Sequence, residues 1–240
     1  MRSKNLTDEA TASAYKSEDF DAFIKKERHE MLRYISREAS TILDVGCAVG
    51  SFGELLKSER SVEIWGVEIN EYAASIAAKK LDKVICGAFG ENLDLPQMKF
   101  DCVVFNDMLE HLVDPYSALL YARTLLQDGG TIVASIPNVR YFDNIWKLLV
   151  DQDWEYTQNG ILDRTHLRFF TYRSILSTFN KLGFQVELIE GINPLETEHP
   201  HRVRKFNFFN SLLLNQIEDT RYLQFAVVAR PKNFEMSRSL

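Results

Sequence analysis

The chain has 240 residues, 45% of them hydrophobic and 26% charged, with a formal net charge of −6. That length suits one α/β domain with insertions, and the balance excludes low-complexity and intrinsically disordered chains. The acidity argues against bulk nucleic-acid binding; Met1–Leu6 lack a signal-peptide core and no apolar run reaches the length of a membrane span, so a cytoplasmic protein is expected.

Residues 1–18 are polar. From Asp19 on, Phe20, Phe23, Ile24, Met31, Leu32 and Ile35 recur at helical spacing and predict that 1–40 is an N-terminal helical segment packed on the core. The main domain is expected over 41–232, with a loose tail at 233–240. Thr41–Leu56 reads as strand, glycine turn, helix. Ile42, Leu43 and Val45 make the apolar run of a buried parallel strand, Gly46, Gly50 and Gly53 follow, and Leu55 and Leu56 sit in a helical pattern. Val62–Glu68 predicts a second strand, Asn70–Lys80 an alanine-rich helix, Val84–Cys86 a third strand and Phe100–Phe105 a fourth.

Pro115 can open the next helix, which runs to Leu126. Asp128-Gly129-Gly130 reads as a turn, and Thr131–Ile136 as a fifth strand ended by Pro137-Asn138. Residues 138–171 hold Tyr141, Phe142, Trp146, Trp154 and Tyr156 and do not read as a simple helical connection. Ligands in open α/β sheets bind at the carboxyl ends of strands, so this stretch predicts a substrate cap. A helix over Tyr172–Leu182 stopped by Gly183, a strand Phe184–Ile189, a second cap insertion at 191–221 and a final strand Tyr222–Ala229 complete the order. Alternating strands and helices imply a parallel sheet with right-handed crossovers. Cys47, Cys86 and Cys102 form no C-x-x-C pair and predict reduced, buried thiols.

The glycine turn narrows the ligand. A dinucleotide fingerprint counted from Gly46 needs glycines at positions now held by Ala48 and Ser51, and no Gly-Lys-Ser/Thr is present for a phosphate loop. Asp44 at the strand end repels a phosphate and suits a cationic amine. Glu68, at the end of the second strand, is placed for ribose hydroxyls. S-adenosylmethionine, with a ribose, a positive charge and no phosphate, fits both.

Asp44-x-Gly46-x-Ala48-x-Gly50 resembles motif I of the class I S-adenosylmethionine-dependent methyltransferases, with Ala48 in place of the middle glycine. The resemblance covers roughly Ile42–Ile189. It implies a Rossmann-like, seven-stranded, mostly parallel sheet with an antiparallel last strand and helices on both faces. It also implies cofactor contacts from Asp44, Gly46, Cys47, Ala48, Gly50, Glu68, Ile69 and Asn106. Tyr15 is either the tyrosine that closes over the cofactor in similar enzymes or a surface residue. Ala88 stands where the family usually carries an acidic adenine reader, so adenine contacts fall to backbone groups, Phe89, Glu91 or Asn92.

Methyl transfer to a hydroxyl needs an aligned acceptor and a way to remove its proton. Asp107, Glu110 and His111 lie at i, i+3 and i+4, on one face if the segment is a helical turn, and His166 lies in the cap. Together they make an oxygen/nitrogen set for Mg²⁺ or another divalent ion. The spacing resembles the Glu-x-x-Glu-His plus distal histidine of metal-dependent methyltransferases, including small-RNA 2′-O- and ubiquinone-pathway O-methyltransferases. The alternatives, with His111, His166 and Asp107 as the catalytic set, are a histidine that acts as base, titrating near 6.5, or orients the substrate, and loop stabilisation.

Gly160–Thr171 with Ile136–Arg140 resembles a bacterial subgroup linked to surface polysaccharides and other glycans. That resemblance makes a sugar or glycan-linked acceptor the expectation. The alternatives are a phenolic or quinone precursor, RNA, and a cofactor-binding partner protein without activity. Arg140, Arg164 and Arg168 either meet an anionic acceptor or are solvated and paired. Residues 201–214 mix bases with aromatics, which suits peripheral membrane contact, packing on the sheet, or a homodimer contact.

Overall fold

The computed structural model describes residues 27–232. Seven strands form one sheet: β1 Thr41–Val45, β2 Glu63–Glu68, β3 Lys83–Cys86, β4 Phe100–Asn106, β5 Leu126–Pro137, β6 Phe184–Pro194 and β7 Tyr222–Pro231. Their order is β3-β2-β1-β4-β5-β7-β6. β7 runs antiparallel to both β5 and β6, and the remaining pairings are parallel, as expected from the sequence. The α-helices are α1 Ser51–Glu59, α2 Glu71–Ala77, α3 Pro115–Leu125, α4 Phe142–Trp146, α5 Tyr172–Lys181, α6 Leu195–Glu198 and α7 Val203–Leu212.

The central strands are mostly apolar because both faces are covered. Leu43, Val45, Val103 and Phe105 point to one face, where α3 and α5 supply Leu119, Leu125, Ile175 and Phe179. Ile42, Cys102 and Val104 point to the other, where Phe52 and Leu56 of α1 and Ala77 of α2 meet them. Side chains of a strand alternate between faces, so one run of hydrophobic residues serves two cores. β1 and β4, in the middle, therefore present their carboxyl ends between two helical layers.

Several elements depart from expectation. Of the segment expected to be helical, the described residues before β1 form a short 3-10 helix, His29–Tyr34, entered from Arg28 in a left-handed conformation (φ 48°); residues 1–26 lie outside the described residues. Asp128-Gly129-Gly130 is no turn between elements. It lies inside β5, where the register with β4 shifts between the Phe100 and Cys102 pairs, as a bulge does. β6 continues past Ile189 to Pro194, because β7 offers an antiparallel edge as far as Tyr222. Cys47 and Cys102 are buried free thiols, but Cys86, at the exposed edge strand, is exposed.

The two insertions share one small core. Tyr141, Phe142, Ile161 and Leu162 of the first pack with Leu195 and Phe206 of the second. Phe142 meets Phe206 edge-on at 5.5 Å between ring centroids. Asp143 accepts from Arg202 at 2.6 Å, and Arg140 pairs with Asp219 at 2.7 Å. Among the described residues no helix is long and apolar enough to cross a membrane.

Candidate functional site

A cavity of about 690 Å³ opens at the carboxyl ends of β1, β2 and β4. The turn after β1 forms its floor. Gly46 and Gly50 adopt φ 75° and 74°, and Ala48 adopts φ 47°, a conformation that costs a residue with a Cβ more than it costs glycine. The amides of Gly46 and Cys47 both donate to the Val67 carbonyl, at 2.8 and 3.1 Å, which straps the turn to β2. Glu68 completes the strap, accepting from the Ala48 amide at 2.9 Å and the Asn70 amide at 2.8 Å.

Of the residues expected around a cofactor, Asp44, Gly46, Cys47, Ala48, Glu68, Ile69, Ala88, Phe89 and Asn106 line this cavity. Gly50 does not. A Cβ there would lie 3.2 Å from Ala77, so its place is the close contact between the turn and α2. Tyr15 lies outside the described residues. Glu91 and Asn92 also line the cavity, while Phe89 stands edge-on to Phe105 at 5.7 Å.

The charge distribution is uneven. Burial, with Glu68 adding to it, pushes the Asp44 carboxyl up to about 7. Burial also raises Glu68, against the pull of the Asn70 and Ala48 amides. Both side-chain amide atoms of half-buried Asn106 are shielded from solvent and unpartnered. Two carboxylates under strain of burial, and an idle donor–acceptor pair, suit a ligand that brings a positive charge and hydrogen bonds.

Arg28 also lines the cavity, and sequence reasoning missed it. Its side chain is 7% exposed; Nε pairs with Glu30 at 3.2 Å, and Nη1 donates to Asp107 at 2.7 Å and to Gln224 at 3.1 Å. Nη2 has no hydrogen-bond partner. In Glu27-Arg28-His29-Glu30 it reads as one more surface charge, and only the left-handed turn at Arg28 brings it inward.

Asp107 does not join the histidines. It takes a left-handed conformation, φ 50°, which breaks the helical spacing assumed from sequence; the 3-10 turn covers only Leu109–His111. Its carboxylate is spent on Arg28, Ser135 and Gln224. Glu110, His111 and His166 do converge, each with a possible ligand atom within 4.8 Å of the others. The two imidazole rings meet edge-on at 4.7 Å, although 55 residues separate them.

His111 alone of the three lines the cavity; Glu110 and His166 stand behind it. Both carboxylate oxygens of Glu110 are buried without a hydrogen-bond partner, and His166 Nε2 is 3.9 Å from Oε1, beyond hydrogen-bond range. Burial, then Asp107, raises Glu110 well above the ordinary carboxyl range. Burial, then His166, lowers His111 to about 4, not the 6.5 expected from sequence. The cap is tied to this site through main chain: the amides of Leu167 and Arg168 donate to the Glu110 carbonyl at 2.8 and 3.0 Å. Arg140 and Arg168 are engaged elsewhere, with Asp219 and with the Val113 carbonyl, and neither lines the cavity; nor does exposed Arg164.

Comparison with known proteins agrees with this geometry. The ubiquinone biosynthesis O-methyltransferase of Alkalilimnicola ehrlichii is 32% identical over 107 residues, 42% of this chain and 43% of that protein. The chain thus spans less than half the length of that relative. An S-adenosylmethionine-dependent methyltransferase structure from Thermotoga maritima superposes with TM-score 0.64 at 18% identity, covering 92% of this chain and 99% of that one. One from Archaeoglobus fulgidus does so with TM-score 0.59 at 21% identity, over 92% and 93%. Both share the fold. A sequence model described as a methyltransferase domain matches residues 15–189, nearly three quarters of the chain, which therefore belongs to that methyltransferase family and carries its class I fold.

Proposed function

We propose that the protein is an S-adenosylmethionine-dependent O-methyltransferase acting on a phenolic or catecholic acceptor. One observation carries the reading. A single cavity joins a cofactor-type wall, Asp44, Glu68, Asn106 and Arg28, to His111 beside the apolar side chains of Met108, Leu112, Val113 and Leu167. In this reading Glu68 holds the ribose hydroxyls, Asp44 and Asn106 hold the methionyl amine, and Nη2 of Arg28, the guanidinium nitrogen without a hydrogen-bond partner, takes the methionyl carboxylate. When bound, the cofactor supplies a methyl group activated by a sulfonium. His111 stands where the acceptor hydroxyl must lose its proton, and its lowered pKa keeps it unprotonated at neutral pH. The apolar wall gives a flat acceptor a surface to lie on, and exposed Val113 and Leu167 would be covered by it.

The acceptor class rests on two supports. The relatives are named for ubiquinone biosynthesis. The cap aromatics Tyr141, Phe142, Trp146, Trp154 and Tyr156 are absent from the cavity wall, so the cap offers a sugar ring no aromatic face there, whereas the wall beside His111 is aliphatic. A glycan acceptor is the second outcome of the test.

A divalent ion fits Glu110, His111 and His166, because the orphaned Glu110 carboxylate has nothing else to satisfy it. Ligand atoms about 2.1 Å from one ion can be at most about 4.2 Å apart, so the set must draw in by roughly half an ångström. Such an ion would lower the pKa of an acceptor hydroxyl.

Calorimetry with S-adenosylhomocysteine tests the cofactor, and binding weaker than millimolar ends the reading. Radiolabelled methyl transfer to 3,4-dihydroxybenzoate and to a panel of sugars then separates the acceptors. Turnover abolished by a chelator and restored by Mg²⁺ or Mn²⁺ assigns the proton to metal assistance; turnover that survives chelation assigns it to His111.

A further inference from the structure

The bonds behind His111 define how it is held. His111 Nδ1 lies 3.0 Å from the Thr165 hydroxyl and 3.3 Å from the Thr165 carbonyl oxygen. The same hydroxyl is 2.6 Å from Asp163 Oδ1, and that oxygen also accepts from the Thr165 amide at 2.7 Å. A carboxylate oxygen only accepts, so the single hydroxyl proton of Thr165 is committed to Asp163. Toward His111 the hydroxyl can then only accept, and a carbonyl oxygen accepts in any case. Both neighbours of Nδ1 therefore demand a proton on it. His166 is held the same way round, its Nδ1 lying 2.9 Å from the Ile161 carbonyl.

We infer that Asp163 and Thr165 are positioning residues: a carboxylate–hydroxyl–imidazole relay that fixes His111 as the Nδ1–H tautomer and leaves Nε2 with a free lone pair for the reacting centre. The inference rests on the methyltransferase reading for its purpose, but the tautomer stands on geometry alone. It serves either version of the chemistry, since a base and a metal ligand both need that lone pair. It also gives a function to Asp163-Arg164-Thr165-His166, where one turn supplies the second histidine and the relay that orients the first.

Long-range ¹H–¹⁵N correlation spectra of the labelled full-length protein at neutral pH read the tautomer. The His111 pattern is expected to show Nδ1 protonated and Nε2 bare. Thr165→Val keeps the shape and removes the hydroxyl, so it should give a mixed tautomer. Thr165→Ser should restore the original pattern. Asp163→Asn should shift the population toward Nε2–H, because an amide can donate to the hydroxyl and turn its proton onto Nδ1. Methyl transfer to 3,4-dihydroxybenzoate should fall about 10–100-fold in kcat for Thr165→Val, with the KM for S-adenosylmethionine unchanged and activity recovered in Thr165→Ser. Nε2–H in the unsubstituted protein, or a His111 pattern unmoved by both Thr165→Val and Asp163→Asn, overturns the proposal. Failure of the methyltransferase reading shows separately, as no binding of S-adenosylhomocysteine by the unsubstituted protein, whatever the spectra of His111.

Discussion

Asp44 is 2% exposed and shares its end of the cavity with a second carboxylate, Glu68. Its folded-state pKa, about 7, lies above the ordinary 3.8, so the unfolded chain gives up this proton at lower pH than the folded one. The folded state is therefore penalised progressively as pH rises from about 4 to about 7, and fully above that. One pKa unit is about 1.4 kcal/mol, which bounds the penalty at roughly 4 kcal/mol. Asp44→Asn should raise the melting temperature of the ligand-free protein, clearly at about pH 8 and hardly at about pH 4. The same change should weaken S-adenosylhomocysteine by about 1.5–3 kcal/mol, the worth of a charged hydrogen bond. For the unsubstituted protein, affinity should climb with pH up to about 7 and then level, because binding an amine requires the ionised form. Calorimetry across that range reads both. Arg28→Met should weaken the ligand by a similar amount, and an unchanged affinity would remove Arg28 from the site. These residues were not equally legible. Asp44 and Glu68 sit in a pattern local in the chain, at strand ends whose ligands follow from topology. Arg28 meets partners 79 and 196 positions away, a pairing that no local pattern encodes.

At the scale of elements, the strands of the central sheet were readable because burial on both faces writes them as continuous apolar runs. The places that failed are those where a neighbour decides. Gly129 and Gly130 look like a turn, yet they lie inside β5, in the bulge between the Leu126 and Thr131 pairings with β4. Gly191 and Pro194 look like the end of a strand, yet β7 pairs with β6 through Gly191 as far as Pro194. Gly191 shows why glycine is needed: a Cβ there would lie 2.1 Å from the Tyr222 ring. Gly191→Ala should cost about 1–3 kcal/mol through overpacking. Urea denaturation should show it, and combining it with Tyr222→Ala should recover part of the loss. Asp107 failed for a related reason. Its spacing to Glu110 and His111 suits a helix, but Arg28 and Gln224 draw its carboxylate away.

For the whole molecule, the cofactor end and the cap have separate cores. Phe206 is fully buried among cap residues, and none of the buried residues of that core lines the cavity. His166 is nonetheless anchored to it through the Ile161 carbonyl. Phe206→Ala should cost about 3–5 kcal/mol locally. The expected outcome is a split: methyl transfer collapses while S-adenosylhomocysteine affinity stays within about twofold, with hydrogen exchange rising across 138–171 and 191–221 and not in β1 or β4. Equal loss of both would show that the cap and the cofactor end open as one unit.

That shared core also bears on how such a protein can change over time. Its two halves enter the chain on either side of α5 and β6, and they fit each other through Phe142 on Phe206, Asp143 with Arg202 and Arg140 with Asp219. A new acceptor preference written into one half alone leaves the other mismatched. Lineages should therefore inherit the two segments as a pair, and a chimera that borrows the cap of a relative should work only when both pieces are transplanted together.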